Sequence, residues 1–376
     1  MSESGSWSTD EAMEKIEESL QKEYNSNGDF NTALNESDPV KFKSLMDDAS
    51  GYSFESSWLL FCCERKAYYE ELDSWQNAKT ESKHKKIKQV LKDYDQRSVL
   101  QELIVAAKRQ RIAPFVGAGL SLDCKFPLWG KALEDIMKRM DGFDDTAVKK
   151  ALADGDYLEA AQLLWEEDDT QLTNYIRNKF AFGEIPDGKI KGAVKKLPEF
   201  CSGCVVTTNF DPVLETVFES FEGRMHGVQF NKFAQKLIEG DSCLLKLHGD
   251  HKDHETYVFT KDQYLEAYGD PIDFTRPLPK SLRQIFVSHS LLFLGCSLDE
   301  DKTLELFQKV VDEGAFEIPN HFAILPEPNG GESKRQKETR LLKLKVRPIW
   351  YPSGEHDHVG MYMDLITDAV NGKVVL

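Results

Sequence analysis

Four short stretches carry residue types that suit work on a phosphate-bearing ligand. Gly117-Ala118-Gly119-Leu120-Ser121 is a glycine turn. Glycines let the backbone approach a pyrophosphate closely, and their N–H groups can donate to phosphate oxygens. Leu122 stands where a full G-x-G-x-x-G would place its third glycine, so a purely structural tight turn fits equally well. Thr207-Thr208-Asn209-Phe210-Asp211 offers a carboxamide and a carboxylate. Asp211 before Pro212 also reads as a helix cap with proline in the first turn. Leu247-His248-Gly249-Asp250 contains an imidazole, the group best suited to take a proton from water or a sugar hydroxyl near neutral pH. A structural histidine is the alternative there. Gly295-Cys296-Ser297-Leu298-Asp299 can cap a helix through Ser297 or Asp299, or contact a phosphate or ribose at a helix N-terminus.

Two arrangements mimic metal sites. His248, His251 and His254 recur at every third residue, with Asp250 and Asp253 among them. That spacing matches no known ligand set. Cys201-x-x-Cys204 lacks the second pair that a zinc ribbon needs. No metal is expected.

The elements that must position these residues follow a strand–helix rhythm. Ile112–Val116, Cys204–Thr207, Cys243–Leu247, Leu291–Leu294, Phe322–Leu325 and Val346–Trp350 are short apolar runs separated by helical patterns, with Tyr257–Phe259 a candidate short strand. Continuous apolar strands alternating with helices predict an α/β fold, a doubly wound parallel sheet covered on both faces. Such sheets bind ligands at the carboxyl ends of their strands, where all four stretches fall. Residues 141–200 read as a helical insertion. Residues 1–100 read as a separate helical N-terminal region without clear strands, followed by the nucleotide-binding domain at 101–376. In the N-terminal region Ser8 or Thr9 can cap a first helix, Pro39 can open a second, Phe54–Trp75 is aromatic-rich, and Lys85–Arg109 alternates basic and apolar residues.

The bulk properties narrow the partners. A chain of 376 residues with 40% hydrophobic and 30% charged residues is ordinary for a globular protein. Its net charge of -17 repels phosphate backbones, so nucleic acid is a poor partner. Seven scattered cysteines do not form a disulfide framework. The polar, acidic start is unlike a signal peptide, and runs such as Trp58–Cys63 are too short to span a bilayer. The expectation is a cytoplasmic protein with no membrane association.

In their order and at the ends of successive strands, Gly117-Ala-Gly119-x-Ser121, Thr207-x-Asn209-x-Asp211, Leu247-His248-Gly249 and Gly295-x-Ser297-Leu298 together resemble the SIR2 family. With Pro127 and Trp129 after the glycine turn, the chain looks most like the SIR2-like domains of bacterial anti-phage systems, over about Arg111 to Trp350. The resemblance implies a Rossmann-like fold with NAD across the strand ends. Gly117, Ala118, Gly119 and Ser121 would hold the pyrophosphate. Asn209 and His248 would act at the nicotinamide ribose, Gly295 and Ser297 would contact the phosphate–ribose region, and Asp211 would support the Asn209 loop. The implied activity is hydrolysis of NAD to nicotinamide and ADP-ribose, in defence by NAD depletion. A deacylase or ADP-ribosyltransferase, and a silent module that binds NAD or ADP-ribose, are the alternatives. Leu128 and Trp129 replace the aspartate and arginine stretch that deacetylating sirtuins carry after the proline, and no cysteine lies between Asp250 and Arg283 to build their zinc module. An NAD hydrolase must be latent in its own cell, so a homo-oligomer or a separate regulatory protein is expected. Trp58, Phe61, Tyr68, Tyr69 and Trp75 are more aromatics than a short helical arm can bury, which suggests packing on the other domain or another subunit.

Overall fold

The computed structural model describes residues 9–36, 40–42, 52–140, 142–181, 183, 185, 189–199, 201, 203–218, 224–299, 302–329 and 333–376. The chain forms two compact units, Met1–Lys85 and Lys86–Leu376, whose boundary falls within a long helix.

The first unit holds α1 (Thr9–Asn25), α2 (Gly28–Asn35), the short strands β1 (Val40–Phe42) and β2 (Tyr52–Phe54), α3 (Ser56–Cys63) and the start of α4 (Arg65–Asp93). The strands pair antiparallel, Val40 opposite Phe54, which corrects the expectation of a strandless region. Ser8 and Pro39 lie outside the described residues. Helix α4 joins the end of the aromatic-rich segment to the start of the basic–apolar one without a break. Phe61 and Tyr68 are buried in this unit's own cluster with Tyr24, Phe30 and Leu72, and Trp58, Tyr69 and Trp75 pack against it. Edge-on ring pairs join Phe30 to Tyr68 at 5.3 Å and Phe61 to Tyr68 at 5.1 Å. The Tyr68 hydroxyl donates to Asn31 Oδ1 at 2.6 Å, which satisfies its buried polar end. For Phe61 and Tyr68 the expected need for cover from another domain or subunit is thereby corrected.

The second unit continues with α5 (Arg97–Lys108), β3 (Ile112–Val116), α6 (Trp129–Met137), α7 (Thr146–Asp154), α8 (Tyr157–Lys179), β4 (Val205–Thr207), α9 (Val213–Val217), β5 (Arg224–Met225), α10 (Phe233–Glu239), β6 (Leu244–Lys246), α11 (Lys261–Tyr268), α12 (Pro277–Ser288), β7 (Ser290–Leu294), α13 (Lys302–Glu313), β8 (His321–Pro326), α14 (Lys334–Lys343), β9 (Val346–Tyr351) and α15 (Asp357–Val370). Among the described residues, those between α6 and β4 are helical or irregular. Tyr257–Phe259, expected as a candidate strand, is irregular.

The seven strands β3–β9 form one parallel sheet in the order β5-β6-β4-β3-β7-β8-β9. Alternate residues of each strand enter separate cores on its two faces. Ile112, Val116, Val205, Leu244, Leu292, Leu294, Phe322 and Ile324 face one core. Ala113, Phe115, Val206, Leu245, Phe293, Ala323 and Leu325 face the other. This is why the strands read as unbroken apolar runs. The chain builds one half of the sheet outward from β3, then returns to lay β7 on the other flank of β3. That reversal is the topological switch point, where an open parallel sheet leaves a crevice beyond its strand ends.

Near the start of the second unit, Gln96 locks the backbone of β9. Its amide donates to the Trp350 carbonyl at 2.7 Å and accepts from the Trp350 N–H at 2.8 Å. Ile87, Val90 and Leu91 of α4 lie in the same unit's core.

Candidate active site

At the switch point the glycine turn and the end of β7 touch backbone to backbone. Gly117 N–H donates to the Leu294 carbonyl at 2.9 Å, and Gly119 N–H to the Gly295 carbonyl at 3.0 Å. A Cβ on Gly117 would stand 2.6 Å from the Gly295 oxygen. Gly295 has φ +68°, and a Cβ there would meet the Leu120 nitrogen at 2.4 Å. These glycines therefore let two strand ends close on each other. Two of the N–H groups that would reach a phosphate already have carbonyl partners. Ala118 is half-buried at the start of the short 3-10 helix Ala118–Cys124. Ser297 is exposed at the end of β7, and Asp299 pairs with Lys337 at 3.0 Å.

Ser121 turns inward, 2% exposed, and links the glycine turn to the Asn209 loop. Asn209 Nδ2 donates to Ser121 Oγ at 3.2 Å. The Ser121 hydroxyl also favours the charged form of the Asp211 carboxylate. Asn209 N–H donates to Thr207 Oγ1 at 3.0 Å, and that hydroxyl donates to the Val116 carbonyl at 2.8 Å. The loop is thus tied to β3 through Thr207 and to the 3-10 helix after the glycine turn through Asn209 itself. Phe210 anchors it from below, with Trp129, Phe180, Tyr257 and Phe259 around its ring. Asp211 accepts from Val213 N–H at 3.0 Å in a turn before α9, whose N-cap is Pro212, so the expectation that Asp211 caps that helix with proline in its first turn is corrected. Burial raises the Asp211 carboxyl above the ordinary carboxylate range, against the pull of Lys246 and of the Val213 and Ser121 donors.

His248 lies beyond β6, the neighbour of β4. Thr207 and Lys246 are in register across the two strands, so Asn209 and His248 each stand two residues further on. Asn209 is 7% exposed and His248 8%. Burial holds the His248 imidazole down to about 3, so it is neutral at physiological pH. Its nitrogens lie within hydrogen-bond reach of the Tyr264 hydroxyl, Nε2 at 3.1 Å. The other histidines of that stretch diverge from it. His251 Nδ1 pairs with the Phe210 carbonyl at 3.1 Å, and His254 is exposed. Among the described residues no group of three or more His, Cys, Asp or Glu side chains could hold a metal ion.

Beneath both loops lies a buried ionic cluster that the motifs do not reveal. Lys246 is fully buried in β6. Its ammonium donates to the carbonyls of Phe210 and Asp211 at 3.0 and 2.9 Å, and to Glu215 and Asp250 at 3.0 and 3.1 Å. Arg224 reaches the same two carboxylates at 3.2 and 2.8 Å. Burial alone would push Asp250 up, but Lys246, the Lys252 N–H and Arg224 bring it down to about 2. One side chain of β6 thereby holds the loop that carries Asn209 and the turn that carries His248. The sequence signal was a lone lysine inside the apolar run Leu244-Leu245-Lys246-Leu247, since a lysine is almost never buried unless paired.

The chain is similar to several known proteins. Residues 203–349 match the model of the SIR2-like domain. Defense-associated sirtuin 2 of Bacillus subtilis is 23% identical over 301 residues, 77% of this chain and 29% of that protein. NAD(+) hydrolase ThsA of Acinetobacter baumannii (strain 532279) is 26% identical over 67% of this chain and 50% of its own length. NAD(+) hydrolase ThsA of Bacillus cereus (strain MSX-D12) is 25% identical over 63% of this chain and 48% of its own length. The chain thus spans half or less of these relatives. The crystal structure of a Sir2 homolog–NAD complex superposes with a TM-score of 0.39 at 12% identity, over 72% of this chain and 94% of that one. Residues 203–349 are thus similar to a SIR2-like domain, and they lie on strands of the parallel seven-stranded sheet.

Proposed function

We propose that this chain hydrolyses the bond between nicotinamide and ribose in NAD, and that it does so as an effector of anti-phage defence that depletes NAD in the cytoplasm. The observation that carries the reading is the joint placement of Ser121, Asn209 and His248 beyond the carboxyl ends of the adjacent parallel strands β3, β4 and β6, on one side of the switch point. Two relatives named NAD(+) hydrolase and one named as a defence-associated sirtuin support the substrate and the setting.

The chemistry asks little of an acid. Nicotinamide is cationic in NAD, so the C–N bond breaks with its electron pair returning to the ring nitrogen. An oxocarbenium-like ribose remains, and water adds to its anomeric carbon as a proton leaves. Asn209 donates through Nδ2 to Ser121, which turns its Oδ1 to accept from the water or the ribose 2′-hydroxyl. Neutral His248 offers a bare ring nitrogen to that proton, and its burial works against the charge it gains. The backbone around Gly117, Ala118, Gly119 and Gly295, with Ser297, would border the pyrophosphate and its ribose.

The latency that such an activity requires places the chain in a homo-oligomer or under a separate regulatory protein. Purified protein incubated with NAD should yield nicotinamide and ADP-ribose, with no need for an acyl-lysine peptide. Dependence on the peptide would instead make it a deacylase, and binding of NAD without turnover would make it a silent module.

A further inference from the structure

Tyr264 is the side chain whose hydroxyl meets the His248 ring, 3.1 Å from Nε2 and 3.4 Å from Nδ1, with ring centroids 5.1 Å apart. The reaction as written makes no use of it. Its position is nevertheless fixed from three directions. Helix α11 opens with a capping box, in which Thr260 Oγ1 accepts from Gln263 N–H at 3.3 Å and Gln263 Oε1 accepts from Thr260 N–H at 3.1 Å. One turn further on, Tyr264 stacks on the fully buried Tyr268 at 5.5 Å and 14°. Helix α8 grips the first turn of α11 through a two-way contact. Gln162 Nε2 donates to Asp262 Oδ2 at 3.0 Å, and Gln162 Oε1 accepts from Asp262 N–H at 3.1 Å.

A neutral imidazole carries one N–H and one bare nitrogen, and only the bare nitrogen can accept a proton. The partner on the ring decides which is which. A base oriented by a third group is the general pattern of activated sites. We propose that Tyr264 is the positioning residue for His248: its hydroxyl accepts from N–H on Nε2, the nearer nitrogen, which fixes the ring's rotation and leaves Nδ1 as the bare nitrogen that takes the proton. Helix α8 acts through α11 to keep that hydroxyl in place. The proposal rests on His248 as the base of the reaction proposed above, but its structural half can be read without any turnover.

The test is Tyr264→Phe in the full chain, which keeps the ring and its stack on Tyr268. Nitrogen-15 spectra of histidine-labelled protein, with His248 assigned by its loss in His248→Asn, should show one tautomer in the parent and a mixture in the variant. The kcat for NAD cleavage should fall about tenfold, with KM within about twofold, because substrate contacts are kept and only the base is mis-set. Unchanged nitrogen signals from His248, or an unchanged kcat, would overturn the proposal. If the parent chain leaves NAD intact, the reading of the reaction fails, and the nitrogen spectra still decide the Tyr264 contact.

Discussion

Asn209 and His248 each stand two residues beyond a pair, Thr207 and Lys246, that lies in register on neighbouring parallel strands. Strand pairing therefore delivers the carboxamide and the imidazole to the same level of the sheet. The fully buried Lys246 then holds the Asn209 loop by two of its carbonyls and the turn after His248 by Asp250.

Asn209→Ala and His248→Ala should each lower NAD cleavage by about a hundredfold or more, the scale of lost general-base and positioning groups. Neither should change the fold, since each side chain has few partners in it. Release of nicotinamide, followed alongside circular dichroism, checks this. Near-parent turnover in His248→Ala would remove the imidazole from the mechanism.

Lys246→Met should cost about 3–5 kcal/mol, because it leaves the Asp250 and Glu215 carboxylates facing each other without the ammonium. Urea denaturation of the parent and the variant measures the difference. A loss below about 1 kcal/mol, the size typical of exposed pairs, would mean that Arg224 alone satisfies both carboxylates.

Stability should fall as the medium is acidified from neutrality. Burial holds both His248 and His321 down to about 3, whereas an unfolded histidine titrates near 6.5. Between those values the unfolded chain binds protons that the folded chain refuses, so stability is full above about pH 6.5 and is lost toward pH 3. Asp250, held down to about 2, adds a loss of the same sign between about pH 3.8 and 2. Melting curves from pH 7 to pH 4 should therefore shift steadily downward. A melting temperature constant over that range would mean that these imidazoles are solvated. Protonation of His248 should not limit NAD cleavage between pH 6 and 8.

Gly295→Ala should destabilise the chain by about 1–3 kcal/mol and weaken NAD binding. Its φ of +68° disfavours a side chain, and the new Cβ would press on the Leu120 nitrogen at the closed strand ends. Thermal melting and KM measure the two effects. A variant with parent values for both would show that the glycine turn can retreat without consequence.

Cleavage should persist in strong chelators. Cys201 and Cys204 are buried, and among the described residues neither belongs to a group of three or more side chains that could hold a metal ion. Stoichiometric zinc in elemental analysis, with activity lost on its removal, is the contrary result.

The sequence by itself determined the parallel sheet and the places where its strands end. Burial on both faces writes itself as apolar runs such as Leu291–Leu294, and the glycine turn, Asn209 and His248 each lie just beyond a strand of that kind. Those signals are local, because strand and turn preferences act over a few residues. Tertiary structure alone decided the partners of those residues. Ser121 meets Asn209 across 88 residues of chain, Lys246 binds carbonyls 36 and 35 residues away, and Gln162 meets Asp262 at a separation of 100. It also covered Phe61 and Tyr68 with α1 and α2, where the isolated aromatic run had suggested a foreign surface. A contact between distant segments depends on strand register and helix packing, which the whole chain sets together. No window of neighbouring residues encodes that, and so the buried lysine and the tyrosine on His248 emerge only once the sheet is assembled.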